Sequence, residues 1–530
     1  MAAKKKRVSK KAGKSKSAGR DLSIAEDSKS LYPMLGQKEN TIEDISLRDY
    51  TEECLRVYGS YVVEDRAVPD FRDGCKPVHR ALLWSLSELG LTPDKGYKKA
   101  ARTVGDTIGK FHPHGDTAAY GAMVTIANTM PPAVDGQGNW GTPINPAAAQ
   151  RYTEAKMSKF AHLFMLDSKY LAVVPKVPNF SGDDVIPLYL PALLPYVLFN
   201  GNVPAPAYGV RAGNPSFSLP SVAKIVVNML KGKAISAKTL AKNLEILHPY
   251  GCESVTSDEE YLSMMGTGKG SIVYAPLMSA DFKTRKINIR SFVPAGLSSK
   301  GTIDKTLAKL SNLNGVKKVF SKQGKKTKGS GPYGAMFIVT VGRNVGEDAF
   351  ADLVELVEKH VTNSVGYRLG ITIRKDGEQN KFKYLSYVTF FEQWIKYRIA
   401  LELKLIKSLI VKAERDLHVN EVYLFAVENM DKILKALPKV LTSSDPDKTL
   451  AKILDIPVEN AVIILDRKVR QLAKMEADAL KAKIKDLKAE IKALNADLKT
   501  PGERAARDTS DRVKKYLKKP DANKSGLTFE

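Results

Sequence analysis

Apolar residues recur at helical spacing from Ser46 onward. In SLRDYTEECLRVYGSYVVEDRA (46–67) a serine suited to an N-cap precedes the periodic run. In KPVHRALLWSLSELG (76–90) Pro77 suits a first helical turn and Gly90 a stop. The stretch YKKAARTVGDTIGKFHPHGDTAAYGAMVTIANT (97–129) predicts two more helices: a basic one carrying Lys98, Lys99, Arg102 and Lys110, a tight turn at HPHGD, and a second helix capped by Asp116 or Thr117. Two helices joined by a short Gly-containing turn are an arrangement that sets a helix against DNA.

Between about 170 and 385, strand-like pieces (GSIVYAP, KINIRSFV, GAMFIVTVG, GITIRK) alternate with short helical patterns such as SVAKIVVNMLKG, an α+β region. From TFFEQWIKYRIALELKL onward the pattern is helical. Leu480, Ile484, Leu487, Ile491, Leu494 and Leu498 step by four and three, a coiled-coil seam whose antiparallel partner is expected to begin near Phe390. Val462, Leu465, Val469 and Leu472 extend the stripe upstream in an offset register. A continuous helix over 462–498 would be a rod of roughly 55 Å.

The chain of 530 residues is long enough for three or four domains, and with 43% hydrophobic and 27% charged residues most of it is expected to fold. Charge changes the picture more: 83 Lys+Arg face 58 Asp+Glu, a surplus of +25 that favours a polyanionic partner, nucleic acid before a membrane surface. Residues 1–20 hold nine Lys/Arg and no acid, so most of the surplus belongs to the rest of the chain. Residues 1–40, rich in Lys, Ser and Gly, read as a basic disordered tail, either a nuclear address or a loose phosphate contact. The longest apolar stretch, LYLPALLPYVLF (188–199), is too short to span a bilayer and contains two prolines. Three scattered cysteines, Cys54, Cys75 and Cys252, point to a reducing compartment, taken as cytoplasmic, without a disulfide framework.

Two glycine patterns invite a nucleotide site and fail on context. GQGNWG (136–141) is followed by TPINP, which does not open a helix, and GTGKGS (266–271) lacks the Ser/Thr after its lysine. The DPD at 445–447 lies in a turn with no further acids grouped near it, so neither an ATP site nor a metal site emerges.

Chemically capable residues gather between 66 and 154. DRAVPDFRDGCKPVHR supplies Arg66, Arg72, Lys76, His79 and Arg80; KFHPHGD supplies Lys110, His112 and His114; RYTE supplies Arg151 and Tyr152. Alone, Tyr152 reads as a packing ring with a polar tip. In this company a second role opens. A phenol, with a pKa of about 10, is a weak nucleophile at neutral pH, and neighbouring cations help its oxygen attack a phosphodiester while neutralising the charge that develops.

The blocks RAVPDFRDGCKPVHRALLWSLSELG, YKKAARTVGDTIGKFHPHGDTAAYGAMV, VDGQGNWG and AAAQRYTEAKMSKFA resemble the DNA-breakage subunit of type IIA DNA topoisomerases, the group of the A-type subunits of gyrase and topoisomerase IV and their phage counterparts. The likeness runs through VPKVPNFSGDDVIP and GTGKGSIVY to the coiled coil, about 45–500. It implies an α+β multidomain fold: a winged-helix cleavage domain over 41–168, a tower over 169–385, a coiled coil with a small helical gate (about 418–460) over 386–500, and a polar tail over 501–530. It implies that Tyr152 becomes linked to a DNA 5′ end, that Arg151 clamps the reacting phosphate, and that His114 stabilises charge or moves a proton. Arg66, Lys76, His79 and His112 match positions that line the cleavage site or hold flanking DNA. Arg72, Arg80 and Lys110, basic residues of the same stretches, are expected beside them on DNA. Ile186 matches an apolar wedge that bends the duplex. The resemblance further implies a homodimer on double-stranded DNA that works with a separate B-type subunit holding ATP and Mg²⁺. Relaxation and decatenation are expected rather than wrapping-driven supercoiling. A non-catalytic DNA-binding dimer of the same fold is the alternative; the intact Arg-Tyr pair argues against it.

Overall fold

The computed structural model describes residues 46–141, 146–199, 205–247, 252–290, 299–322, 336–373, 381–467 and 476–518. Helix α1, Leu47–Val62, starts where Ser46 accepts a hydrogen bond from the Asp49 N–H, then widens into a π-helical turn at Val63–Ala67. Helix α2, Pro77–Glu88, begins at its proline and turns Leu82, Leu83, Trp84 and Leu86 into the main core. Strand β1, Lys98–Lys99, leads into α3, Ala100–Lys110, and then α4, Asp116–Ala127. The Thr107 hydroxyl on α3, which donates to the Thr103 carbonyl (2.8 Å), lies 2.9 Å from the Ser85 hydroxyl on α2, while α4 buries Ala119, Met123 and Ile126.

Two local expectations are corrected. Lys98 and Lys99 lie in β1 rather than in the basic helix, because their backbones pair with Ala155 and Glu154. The N-cap of α4 is Gly115, not Asp116 or Thr117; Asp116 is the first helical residue. A three-stranded antiparallel sheet in the order β1-β3-β2 backs the helices, with β2 at Val134–Gln137 and β3 at Glu154–Met157. Helix α5, Lys159–Phe164, follows directly, capped by the Ser158 hydroxyl. Two short hairpins come next: β4 (Lys176–Pro178) with β5 (Val185–Pro187), and β6 (Ala205–Ala207) with β7 (Val210–Ala212). Helix α6, Leu219–Leu230, packs its apolar face into the same core.

The middle of the chain is α+β as its alternating pattern predicts, but its independent part is narrower than 169–385. Buried residues between Tyr170 and Tyr274, and again from Tyr367 to Leu405, belong to the same core as α2–α4. A separate core spans Ile287 to Val361, where a four-stranded antiparallel sheet (278–281, 286–289, 336–341 and 316–322, in that order) packs Ile287, Val339 and Phe337 against the helix Glu347–Val361. In GTGKGS, helix precedes strand, and Gly268 sits at φ 73° against the Leu385 carbonyl, closing a helix rather than cradling phosphate.

The 42-residue helix α7, Tyr387–Glu428, is the antiparallel partner of α8, Ala477–Lys499. Opposite ends meet in the ion pairs Lys481–Glu428 (3.2 Å) and Lys488–Glu421 (2.9 Å), and Ile406, Ile410 and Leu494 close the seam. The rod over 462–498 is not continuous: the helix Val458–Leu465 stops at Asp466 because Ala461 and Ile464 turn into a small helical core with Val422, Ile433 and Leu450. Val469 and Leu472 lie outside the described residues. No described helix is long and apolar enough to cross a membrane.

The expected polar tail contains instead a packed helix, α9, Pro501–Leu517, which buries Ala505, Ala506 and Thr509. Its polar residues are used inside. Arg398 and Glu402 of α7, both fully buried, pair at 2.7 Å, and the Tyr170 hydroxyl donates to Glu402 (2.7 Å). From α9, Asp508 lies 3.5 Å from Arg398 and Arg504 lies 3.3 Å from Glu402. Arg512 reaches Asp167 (3.0 Å) and the Leu163 carbonyl (2.6 Å) at the end of α5. Removing one member of a buried pair strands the other without water. Glu402→Ala is therefore expected to lower unfolding stability by roughly 3–5 kcal/mol, against less than about 1 kcal/mol for Lys481→Ala at the exposed pair, as read from denaturant midpoints.

Candidate functional site

Tyr152 stands two residues before the start of β3, the middle strand of the β1-β3-β2 sheet. Its neighbour Thr153 accepts the Ala100 N–H at 3.0 Å and Gln150 accepts the Ala101 N–H at 3.3 Å, so the first free amides of α3 hold the turn. The Tyr152 ring is 64% exposed, and the Arg151 guanidinium lies 4.8 Å from its centre. An exposed phenol held against a cation, at the end of a paired strand, is chemically available rather than packed away. The GQGNWG glycines find their reason here too: Gly138, at φ 102°, lies 3.7 Å from Thr153 by the position a Cβ would take.

A second cluster forms around a pocket of about 430 Å³ lined by Arg66, Lys76, Pro77, His112, His114 and Tyr208 among others. The π-helical turn after α1 brings Arg66, the start of α2 brings Lys76, and the turn between α3 and α4 brings both histidines. The His112 and His114 rings meet edge to face at 4.5 Å. Burial, then the charges of His114 and Arg66, push His112 down to about 4, and burial lowers Lys76. His112 is thus neutral at pH 7 while the pocket keeps cationic partners. Tyr152 is not among the residues lining this pocket. Tyr208, at the tip of the β6–β7 hairpin and edge to face with Tyr58 of α1 (5.6 Å), is a pocket residue that sequence reasoning misses; a Tyr-Gly pair between two short apolar runs is its only signal.

Other expected DNA contacts lie in different surroundings. Arg72 is buried, with Nε and Nη2 donating to both carboxylate oxygens of Asp70 (3.1 and 2.8 Å) and its guanidinium 4.0 Å from the Tyr189 ring centre. Arg80 donates to Asp73 at 2.7 Å; burial works against its charge, but Asp73 and Asp70 outweigh burial and hold its pKa up. Asp73 also accepts the N–H groups of Cys75 and Leu190, so these two arginines fasten the loop 70–75 to residues 189–190 instead of facing a groove. His79 is buried, and desolvation followed by Lys76 and Arg80 takes it down to about 3. Lys110 is half-buried, 3.3 Å from Asp106, whose hydrogen bond raises it. Ile186 packs against the main core, half-buried opposite Val177; the exposed apolar residues of its hairpin are Phe180 and Val185. Among the described residues no three His, Cys, Asp or Glu side chains are grouped so as to hold a metal ion.

A family model for the A-type subunit of DNA gyrase/topoisomerase IV matches residues 66–508. The A-type subunit of DNA topoisomerase 4 from Haemophilus influenzae is 31% identical over 450 residues, 83% of this chain and 58% of that protein. Its Escherichia coli namesake is 31% identical over 446 residues, covering 82% and 56%. The A-type subunit of DNA gyrase from Streptococcus pneumoniae is 30% identical over 496 residues, covering 90% and 58%. The chain thus spans less than three fifths of the length of these relatives. With the match running from the pocket arginine Arg66 through Tyr152 and the coiled coil into α9, the chain belongs to the family of DNA gyrase and topoisomerase IV A-type subunits.

Proposed function

We propose that this chain is the DNA-breakage and reunion subunit of a type IIA topoisomerase, with Tyr152 as nucleophile. The Tyr152 hydroxyl oxygen attacks a phosphodiester, a Tyr–O–P bond to the DNA 5′ end forms, the bond to the 3′ oxygen breaks, and the phenol's proton leaves so that a 3′ hydroxyl results. The new ester is close in energy to the bond it replaces, so resealing runs the same step backwards. Arg151, beside the ring, offers its guanidinium to the phosphate as charge builds. Arg66 and Lys76, with His112 and His114 beside them, form a second region for the backbone of the same duplex. Two chains supply one tyrosine for each strand. A separate B-type partner carrying ATP and Mg²⁺ completes the enzyme, which relaxes and decatenates DNA.

The observation that carries this reading is the exposed Tyr152 ring with Arg151 over it, in a turn held by α3 and continuous with a paired strand. With the partner subunit, Mg²⁺, ATP and supercoiled plasmid, the wild-type chain is expected to relax DNA and to leave protein-linked breaks on denaturation. Tyr152→Phe should abolish both while DNA affinity stays within about twofold. Equal relaxation by the variant overturns the mechanism.

The two classes of arginine separate in DNA-binding titrations. Arg66→Ala is expected to reduce the salt slope of binding by about one. Arg72→Ala should instead cost roughly 3–5 kcal/mol of stability by stranding Asp70. The pocket also makes binding pH-dependent. A phosphate there cancels repulsion from Arg66 and raises His112 above its free value of about 4, so the bound state holds the proton more tightly. DNA affinity should rise as pH falls from 7 towards the free value of about 4, and His112→Asn should flatten that rise in anisotropy measurements at fixed ionic strength.

A further inference from the structure

We propose that Tyr120 is a positioning residue for the nucleophile, acting through Thr153; the inference rests on the assignment of Tyr152 above. Tyr120 lies half-buried in the middle of α4, its ring tilted against Trp140 at 5.9 Å. Its hydroxyl donates to the Ala148 carbonyl at 2.6 Å and lies 2.9 Å from the Thr153 hydroxyl. A phenol has one proton and a carbonyl has none, so with Ala148 as acceptor the Thr153 O–H must donate to the Tyr120 oxygen. Thr153 is wholly buried, which leaves this phenol as the structure's partner for its side chain.

One oxygen atom thereby spans the chain on both sides of Arg151 and Tyr152. A second tie comes from the first residue of the same helix: Gln150 donates through Nε2 to Asp116 at 2.7 Å. The amides of Ala100 and Ala101 hold the turn from the α3 side. The Tyr152 ring itself is mostly in solvent, so its place is set by the backbone of 148–153, and that backbone is fixed to both helices of the helix-turn-helix pair. Whatever seats α4 against DNA therefore also sets the distance from phenol to phosphate. Small displacements at a reacting centre are expensive in rate, on the order of 10²-fold for 1 Å.

The test uses the chain assembled with its ATPase-bearing partner and a short duplex, following single-turnover formation of the covalent adduct beside DNA affinity and thermal midpoint. Tyr120→Phe keeps the ring and its Trp140 contact and removes only the oxygen. It should slow adduct formation about tenfold or more with affinity within about twofold. Thr153→Val should do the same, Thr153→Ser should behave as wild type, and the double variant should be no slower than the slower single one. Leu494→Ala, which loosens the distant coiled coil, serves as a stability control and should leave the rate unchanged even with a lowered midpoint. Wild-type rates in Tyr120→Phe, losses that multiply in the double variant, or an equal slowing in the control overturn the proposal. Absence of any adduct with the wild-type chain overturns the Tyr152 assignment, and this inference with it; an adduct that forms at the same rate without the Tyr120 oxygen overturns only the inference.

Discussion

The constraint on which everything else rests is the backbone pairing of one four-residue strand. Glu154–Met157 is hydrogen-bonded to Val134–Gln137 on one edge and to Lys98–Lys99 on the other. The first amides of α3, which have no partner inside their own helix, reach across to the turn before that strand. A phenol placed there has a fixed origin although its ring is in solvent. That combination is hard to obtain from packing, because packing that immobilises a ring also hides it.

The cationic side chains divide in a way that charge counting does not reveal. Arg72, Arg80, Arg398 and Arg512 are paired with carboxylates in the interior or close to it; the first three pairs are local, and Arg512 joins α9 to Asp167. Arg66, Arg151 and His114 remain exposed, and Lys76 and His112 half-exposed, at the surface offered to a polyanion. The first group builds the frame; the second makes the field outside it. The network at α9 extends this logic: Arg512 holds the end of α5, the helix that follows the strand after Tyr152, while Arg504 and Asp508 hold the root of the coiled coil.

Periodicity makes most elements legible. The seam from Leu480 to Leu498, its antiparallel partner, the two helices around HPHGD and the four strand-like pieces all lie where their patterns place them. What stays hidden depends on partners that periodicity does not reveal. TPGERAARDTSDRVKKYLKK reads as polar because its arginines and aspartates are polar, yet Arg398, Glu402 and Asp167 satisfy them inside the protein. Arg72 and Arg80 look like DNA ligands until Asp70 and Asp73, two and seven residues away, claim them. Ile186 matches a family position, but its environment is set by the core beneath it. The motif residues Arg151 and Tyr152 are legible because short ordered blocks surround them; the support from Tyr120 and Thr153 is not, since a tyrosine in a helix announces no partner.

The most direct measurement is the identity of the residue that carries DNA. After denaturation of a reaction containing this chain and the proposed B-type partner, nuclease digestion and trypsin, mass spectrometry should find nucleotide attached to the peptide YTEAK, which begins at Tyr152 after cleavage at Arg151. Nucleotide on a peptide from any other part of the chain, with YTEAK unmodified, would contradict the assignment of Tyr152 as the nucleophile.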